Sequence, residues 1–156
     1  MDSDEPADGP ATDGDPQLVG HVHLKVRLLH RAVDFYTDVL GLSVTDRHSD
    51  YAFLSFGKRH HDVALQAVGE DTPAPGPGVG LYHAAFEVEE LSTLAEIADR
   101  LRERDTAFSP VDHGISKALY FDDPDGNGLE VYVDTRAAND HYEWEGTNEP
   151  FDPHDT

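Results

Sequence analysis

The residues best suited to chemistry in this sequence are two histidines and a glutamate that fall at matching points of an internal repeat. His21 opens the run His21-Val-His-Leu-Lys-Val, and His83, 62 residues on, opens His83-Ala-Ala-Phe-Glu-Val. Each is followed by apolar residues at +3 and +5: Leu24 and Val26 in the first run, Phe86 and Val88 in the second. A lone strand histidine is more often structural than a ligand, and His23 shares the His21 face by the period-two alternation of a strand. The repeat separates the two, because His83 aligns with His21 whereas the position matching His23 is Ala85. Glu130, just after a leucine in the last strand-like run, adds a carboxylate; Gln66 holds the matching place in the first half, 64 residues earlier. Two imidazoles and one carboxylate suit Fe(II) or Mn(II) and leave coordination positions open. The chain has no cysteine, so a metal has only histidine, carboxylate, carbonyl or water to bind.

The elements that must position these residues repeat with them. After the His21 strand, Arg31–Leu40 carries Val33, Phe35, Tyr36, Val39 and Leu40 on an amphipathic helix that Gly41 ends. Strand-like runs follow at Ser43–Asp46, Ala52–Phe56 and Asp62–Val68. The second half opens with a strand at Tyr82–Val88. A helix follows over Leu91–Arg104, with Leu91, Leu94, Ile97, Ala98 and Leu101 on one face, then strands at Ala107–Val111, Ala118–Phe121 and Leu129–Val133. The fold expected is therefore α+β: paired βαβββ units forming a curved, barrel-like sheet with helices outside. The units span about 18–68 and 81–134 within a domain of 18–136. The Pro/Gly stretch 69–80 forms an exposed loop between them, and 137–156 is a C-terminal extension. Residues 1–17, with almost nothing to bury, are expected to be a disordered acidic tail.

Bulk composition narrows the function classes. Asp and Glu number 32 against 11 Lys and Arg, for a net charge of −21. A field of that sign repels nucleic acid and anionic membranes, so neither is expected as a partner. The acids are spread along the chain, as in proteins of salt-loving organisms, where high salt screens self-repulsion. No apolar run approaches the roughly 20 residues of a membrane span, and the N-terminus lacks the basic start and apolar stretch of a signal peptide. The location expected is cytoplasmic.

The stretch GHVHLKVRLLHRAVDFYTDVLGL, residues 20–42, resembles the opening unit of the vicinal oxygen chelate superfamily, which includes glyoxalase I, extradiol dioxygenases and antibiotic-resistance proteins. The later stretch DHGISKALYFDDPDGNGLE, residues 112–130, resembles the extradiol ring-cleavage signature, with His113, Leu119, Tyr120, Asp123, Pro124, Gly126 and Glu130 at its fixed positions. The run Arg59-His60-His61-Asp62-Val63-Ala64-Leu65 resembles the strand that carries an acid–base histidine in that family, and the pattern as a whole is closest to the catechol 2,3-dioxygenase-like branch. The resemblance covers roughly residues 18–136. It implies that His21, His83 and Glu130 bind the metal, Fe(II) first and Mn(II) as the alternative. It further implies that His61 moves protons beside the O2 position, that His113 hydrogen-bonds the substrate region, and that Tyr120 holds a substrate hydroxylate. Substrate and co-substrate would be a catechol-like ring and O2.

Taken singly, each of these residues has a plainer reading: Asp123–Gly128 as a turn, Tyr120 as core, His60 and His61 as solvated loop. Two rival functions follow from the same superfamily. One is a glyoxalase I-like lyase or isomerase, which typically takes four protein ligands, one from each symmetric position; Gln66 is a poor candidate for the fourth. The other is a non-catalytic, resistance-type binding protein, which typically lacks the metal triad. Many extradiol enzymes carry four repeat units, and this chain has two. A homodimer is a further option, with Tyr142, Trp144 and Phe151 of the extension as its apolar surface.

Overall fold

A computed structural model describes residues 14–155. Strand β1, Val22–Val26, buries Leu24 and Val26 and turns His23 and Lys25 to the other face, as strict alternation requires. Helix α1, Leu29–Leu40, buries Ala32, Val33, Phe35, Tyr36, Val39 and Leu40 along one stripe. It begins two residues before the expected start. Leu28 at its N-cap offers no side-chain hydrogen bond, so no capping residue marked the boundary. Gly41 ends it in the left-handed conformation (φ 72°), its N–H bonded to the Thr37 carbonyl. Strands β2 (Ser43–His48), β3 (Tyr51–Ser55) and β4 (Val63–Ala67) complete the first unit. The second repeats the plan with β5 (Ala84–Val88), α2 (Leu91–Glu103), β6 (Phe108–Asp112), β7 (Ser116–Asp122) and β8 (Gly128–Asp134).

The expected α+β fold of paired βαβββ units is what the chain adopts, with one difference in closure. The strands form two separate sheets, ordered β1-β4-β3-β2 and β5-β8-β7-β6, rather than one continuous barrel wall. In each unit the first and last strands pair in parallel and the rest are antiparallel. One apolar core joins the halves: Leu24, Val26, Phe35, Tyr36 and Val39 from the first belong to the same cluster as Leu94, Leu101, Leu119, Phe121 and Val131 from the second.

Polar links fix how the halves meet. The buried Tyr36 hydroxyl donates to Asp123 Oδ2 at 2.8 Å. Burial and the Asp123 charge together hold its phenol well above the usual tyrosine range. Arg31 and Arg27 reach the buried Asp125 at 2.6 and 3.4 Å. Asn127 Nδ2 donates to the Lys25 carbonyl at 2.9 Å. The Asp-Pro-Asp-Gly-Asn-Gly segment is thus a turn, as composition suggested, and also the point where α1 and β1 grip the approach to β8. Within it Asp123 Oδ1 accepts from the backbone N–H groups of Asp125 and Asn127.

The extension is more engaged than its lack of period suggested. A short helix α3, Arg136–Asn139, is followed by β9, Glu149–Pro150, which pairs with β6 and makes the second sheet five-stranded. Phe151 is partly buried against the core, while Tyr142 and Trp144 stay exposed. The expected disordered tail falls mostly outside the described residues; 14–17 are exposed and irregular.

Candidate active site

The second sheet assembles the most complete group of reactive side chains. His83 lies one residue ahead of β5 and Glu130 in the middle of β8, directly opposite Ala85. Side chains two apart on a strand share a face, so His83 and Glu130 point the same way and the small Ala85 leaves room between the strands. His83 Nε2 sits 2.9 Å from Glu130 Oε2, and Glu130 is only 9% exposed. Gly128 permits this approach: a Cβ there would lie 2.4 Å from the Tyr82 carbonyl oxygen and 3.5 Å from the His83 Cβ.

On the other side of β8, Tyr120 of β7 pairs directly with Glu130. Its hydroxyl oxygen lies 2.7 Å from His113 Nε2, within hydrogen-bond reach. Burial first, then the Glu130 charge and a hydrogen bond to that carboxylate, push the Tyr120 phenol up to about 12. His113 stands in the tight β6–β7 connection, where its N–H bonds the Ser116 carbonyl and Gly114 N–H bonds Asp112 Oδ1. Its Nδ1 faces Asn148 Oδ1 at 2.6 Å and the Thr147 carbonyl at 3.3 Å. A hollow of about 350 Å³ is lined by Tyr82, His83, Ser109, Tyr120 and Gly128, within the size range of small-molecule sites.

The first sheet holds a second group. His21, one residue ahead of β1, lies against His61 with ring centroids 4.4 Å apart. His60 Nδ1 and His61 Nδ1 are 3.0 Å apart, and His60 Nε2 is 3.7 Å from Asp46. Desolvation, then the neighbouring rings of His21 and His60, lower the His61 pKa. His23 Nε2 is bonded to Gln66 Oε1 at 3.0 Å, so the rival ligand already has a partner. His21 also lines a shallow depression with Ala84 and Ala85, which brings it to the seam between the halves.

Of the expected site residues, the structure therefore brings His83, Glu130, Tyr120 and His113 together and sets His21 and His61 together in a second, separate group. Among the described residues, no three histidine or acidic side chains converge closely enough to hold a metal. The His83–Glu130 spacing nonetheless fits one. Two donors each about 2.1 Å from a shared cation, at right angles, stand about 3 Å apart. His83 Nδ1 is buried with no protein partner among the described residues, an orphan that marks this ring as unsatisfied.

Strand register revises one sequence match. Val22 pairs with Val63 in the first unit, and its counterpart Ala84 pairs with Leu129 in the second. Glu130 thus corresponds to Ala64 rather than to Gln66, because loops of unequal length shifted the count by two. At neither position does the first half offer a carboxylate. Sequence reasoning also missed Gly128, whose role is a close backbone approach, and Asn148, which lies in a segment without period.

A profile of the Glyoxalase/Bleomycin resistance protein/Dioxygenase superfamily matches residues 18–131. The chain belongs to this superfamily. Among individual superfamily proteins, it is 35% identical over 117 residues to catechol-2,3-dioxygenase of Bacillus subtilis (strain 168), covering 74% of this chain and 41% of that one. It is 36% identical over 132 residues to biphenyl-2,3-diol 1,2-dioxygenase 3 of Rhodococcus globerulus, covering 79% and 66%. It is 29% identical over 131 residues to a probable lactoylglutathione lyase of Synechocystis sp., covering 77% and 97%. Among solved structures, a glyoxylase/bleomycin resistance protein/dioxygenase domain from Frankia sp. EAN1pec superposes with a TM-score of 0.65 at 26% identity, covering 77% of this chain and 99% of that one. The chain thus spans less than two thirds of the two dioxygenases.

Proposed function

We propose that this superfamily member is a metal-dependent extradiol dioxygenase, opening a catechol-like ring with O2 beside its two hydroxyls to give a semialdehyde acid. The observation that carries the reading is the Tyr120–His113 hydrogen-bonded pair, set on the sheet face next to His83 and Glu130. A lyase of the glyoxalase type does not need that pair. Such a lyase typically takes a protein ligand from each symmetric position, and the first half has Ala64 or Gln66, neither a carboxylate, at the position in question.

His83 and Glu130, with His21 from across the seam, would hold the divalent metal, for which Fe(II) and Mn(II) are both suited. Bound there, the metal would make the hydroxyls of a chelating catechol more acidic and bring ring and O2 together. Tyr120 keeps its own proton across the physiological range, so its oxygen can accept from a substrate hydroxyl, with His113 Nε2 standing 2.7 Å away. His61, with its lowered pKa, is neutral near pH 7 and free to accept and return a proton on the side of His21.

The second reading, a lactoylglutathione lyase-like reaction, is favoured by length: this chain spans 97% of the Synechocystis protein. One comparison separates the two. Protein loaded with Fe(II) under anaerobic conditions and then given catechol and air should form a yellow product while consuming O2 and ring in equal amounts. Failure across a panel of catechols, with turnover of the methylglyoxal–glutathione adduct instead, would overturn the dioxygenase reading in favour of the lyase.

A further inference from the structure

The C-terminal extension reaches the candidate site at one point. In the β6–β9 ladder, Asp112 pairs with Glu149 and Val111 with Pro150. Continuing that antiparallel register by one step sets Asn148 against His113, and the contact follows: Asn148 Oδ1 lies 2.6 Å from His113 Nδ1. The Thr147 carbonyl, 3.3 Å from the same nitrogen, removes the ambiguity of an amide side chain, since a backbone carbonyl can only accept. Trp144 Nε1 donates to that Thr147 carbonyl at 3.2 Å and steadies it. Phe151, packed on the core, anchors the strand from the other side.

We propose that Asn148 is the orienting residue for His113: it holds the ring proton on Nδ1 and leaves Nε2 bare to receive the Tyr120 proton. Two acceptors face Nδ1 and call for a proton there, and the phenol facing Nε2, able to give or take a proton, fits that tautomer. In a neutral imidazole one nitrogen donates and the other accepts, so a proton on Nδ1 makes Nε2 the acceptor. When a substrate hydroxyl gives its proton to the Tyr120 oxygen, the Tyr120 proton passes to His113 Nε2. The resulting imidazolium then keeps its Nδ1–H on Asn148, in a bond strengthened by the charge. Asn148 touches neither ring nor metal and is a positioning residue. The catalytic part of this inference rests on the dioxygenase reading; the tautomer does not.

Nitrogen-15 NMR of the histidine rings in metal-free, substrate-free full-length protein reads the tautomer directly. The expected result is a neutral His113 with its proton on Nδ1. In Asn148→Ala the proton should redistribute toward Nε2, and catechol turnover should show kcat about tenfold lower with KM within twofold, the scale of an outer-shell partner. Asn148→Asp keeps an acceptor in place, so it should restore the Nδ1–H form, and its carboxylate should hold the ring protonated to higher pH. A wild-type His113 protonated on Nε2, or an unchanged tautomer in Asn148→Ala, overturns the inference whatever the reaction. Absence of catechol turnover in every variant, with the tautomer as expected, instead removes the dioxygenase reading and leaves the orienting contact standing.

Discussion

Gly128→Ala should damage the site without changing any reactive side chain. Gly128 starts β8, and its φ is not in the left-handed region, so alanine meets no backbone penalty there. The penalty is contact. The added methyl would lie 2.4 Å from the Tyr82 carbonyl oxygen, below the 3.0 Å that real Cβ atoms respect, so backbone must move by at least about 0.6 Å. The next residue along is His83, whose Cβ is 3.5 Å from the same methyl. Overpacking of this kind costs about 1–3 kcal/mol. At about 2–4 °C per kcal/mol for a chain of this size, Tm should fall by roughly 2–12 °C. Separation of β5 from β8 should also part His83 from Glu130, and affinity for a divalent metal should drop about tenfold or more. Gly20→Ala is the control, because a Cβ there meets nothing within 4 Å. Thermal melts and metal titrations on the three proteins make the comparison. A Gly128→Ala protein with the wild-type Tm and metal affinity would refute the close approach of Tyr82 and His83 to β8.

Other perturbations have defined signs. Tyr36→Phe removes the donor to the buried Asp123 and should cost about 1–3 kcal/mol in urea melts. Tyr120 and Tyr132 both have phenols pushed up to about 12 from an ordinary 10.0. Their contribution is therefore complete below pH 10. It is lost between pH 10 and about 12, where the unfolded chain gives up its protons first, so alkaline unfolding in that window should be blunted in Tyr120→Phe and Tyr132→Phe. The lowered pKa of His61 should keep the acid limb of turnover below the usual histidine range, and His61→Phe should retain metal while slowing turnover. With a net charge of −21, Tm should rise on going from low salt to molar KCl; a melt insensitive to salt would remove the halophilic reading of the composition.

Much of the fold was legible because amphipathic period and internal repetition agree. Val33, Phe35, Tyr36 and Val39 could face only one way, and α2 and the strands around it repeated the pattern. What the chain concealed were features carried by tertiary contact. The separation into two sheets is a matter of which distant strands pair, and no local pattern records it. The true counterpart of Glu130 required hydrogen-bond register, since loop lengths differ between the halves. The grip of Tyr36 and Arg31 on Asp123 and Asp125 spans 87 and 94 residues. Asn148 sits in a segment without alternation, and its role exists only once β9 has docked on β6.

The membership of His21 in the metal set is the point on which the site depends most, because His83 and Glu130 already touch whereas His21 stands against His61. Titration of Fe(II) or Mn(II) into the wild type and into His21→Ala, His23→Ala, His83→Ala and Glu130→Gln tests it directly. The expected result is one equivalent bound by the wild type and by His23→Ala, and binding lost or weakened at least tenfold in the other three. Full affinity in His21→Ala with loss in His23→Ala would contradict the assignment and place His23, now bonded to Gln66, in the metal's shell.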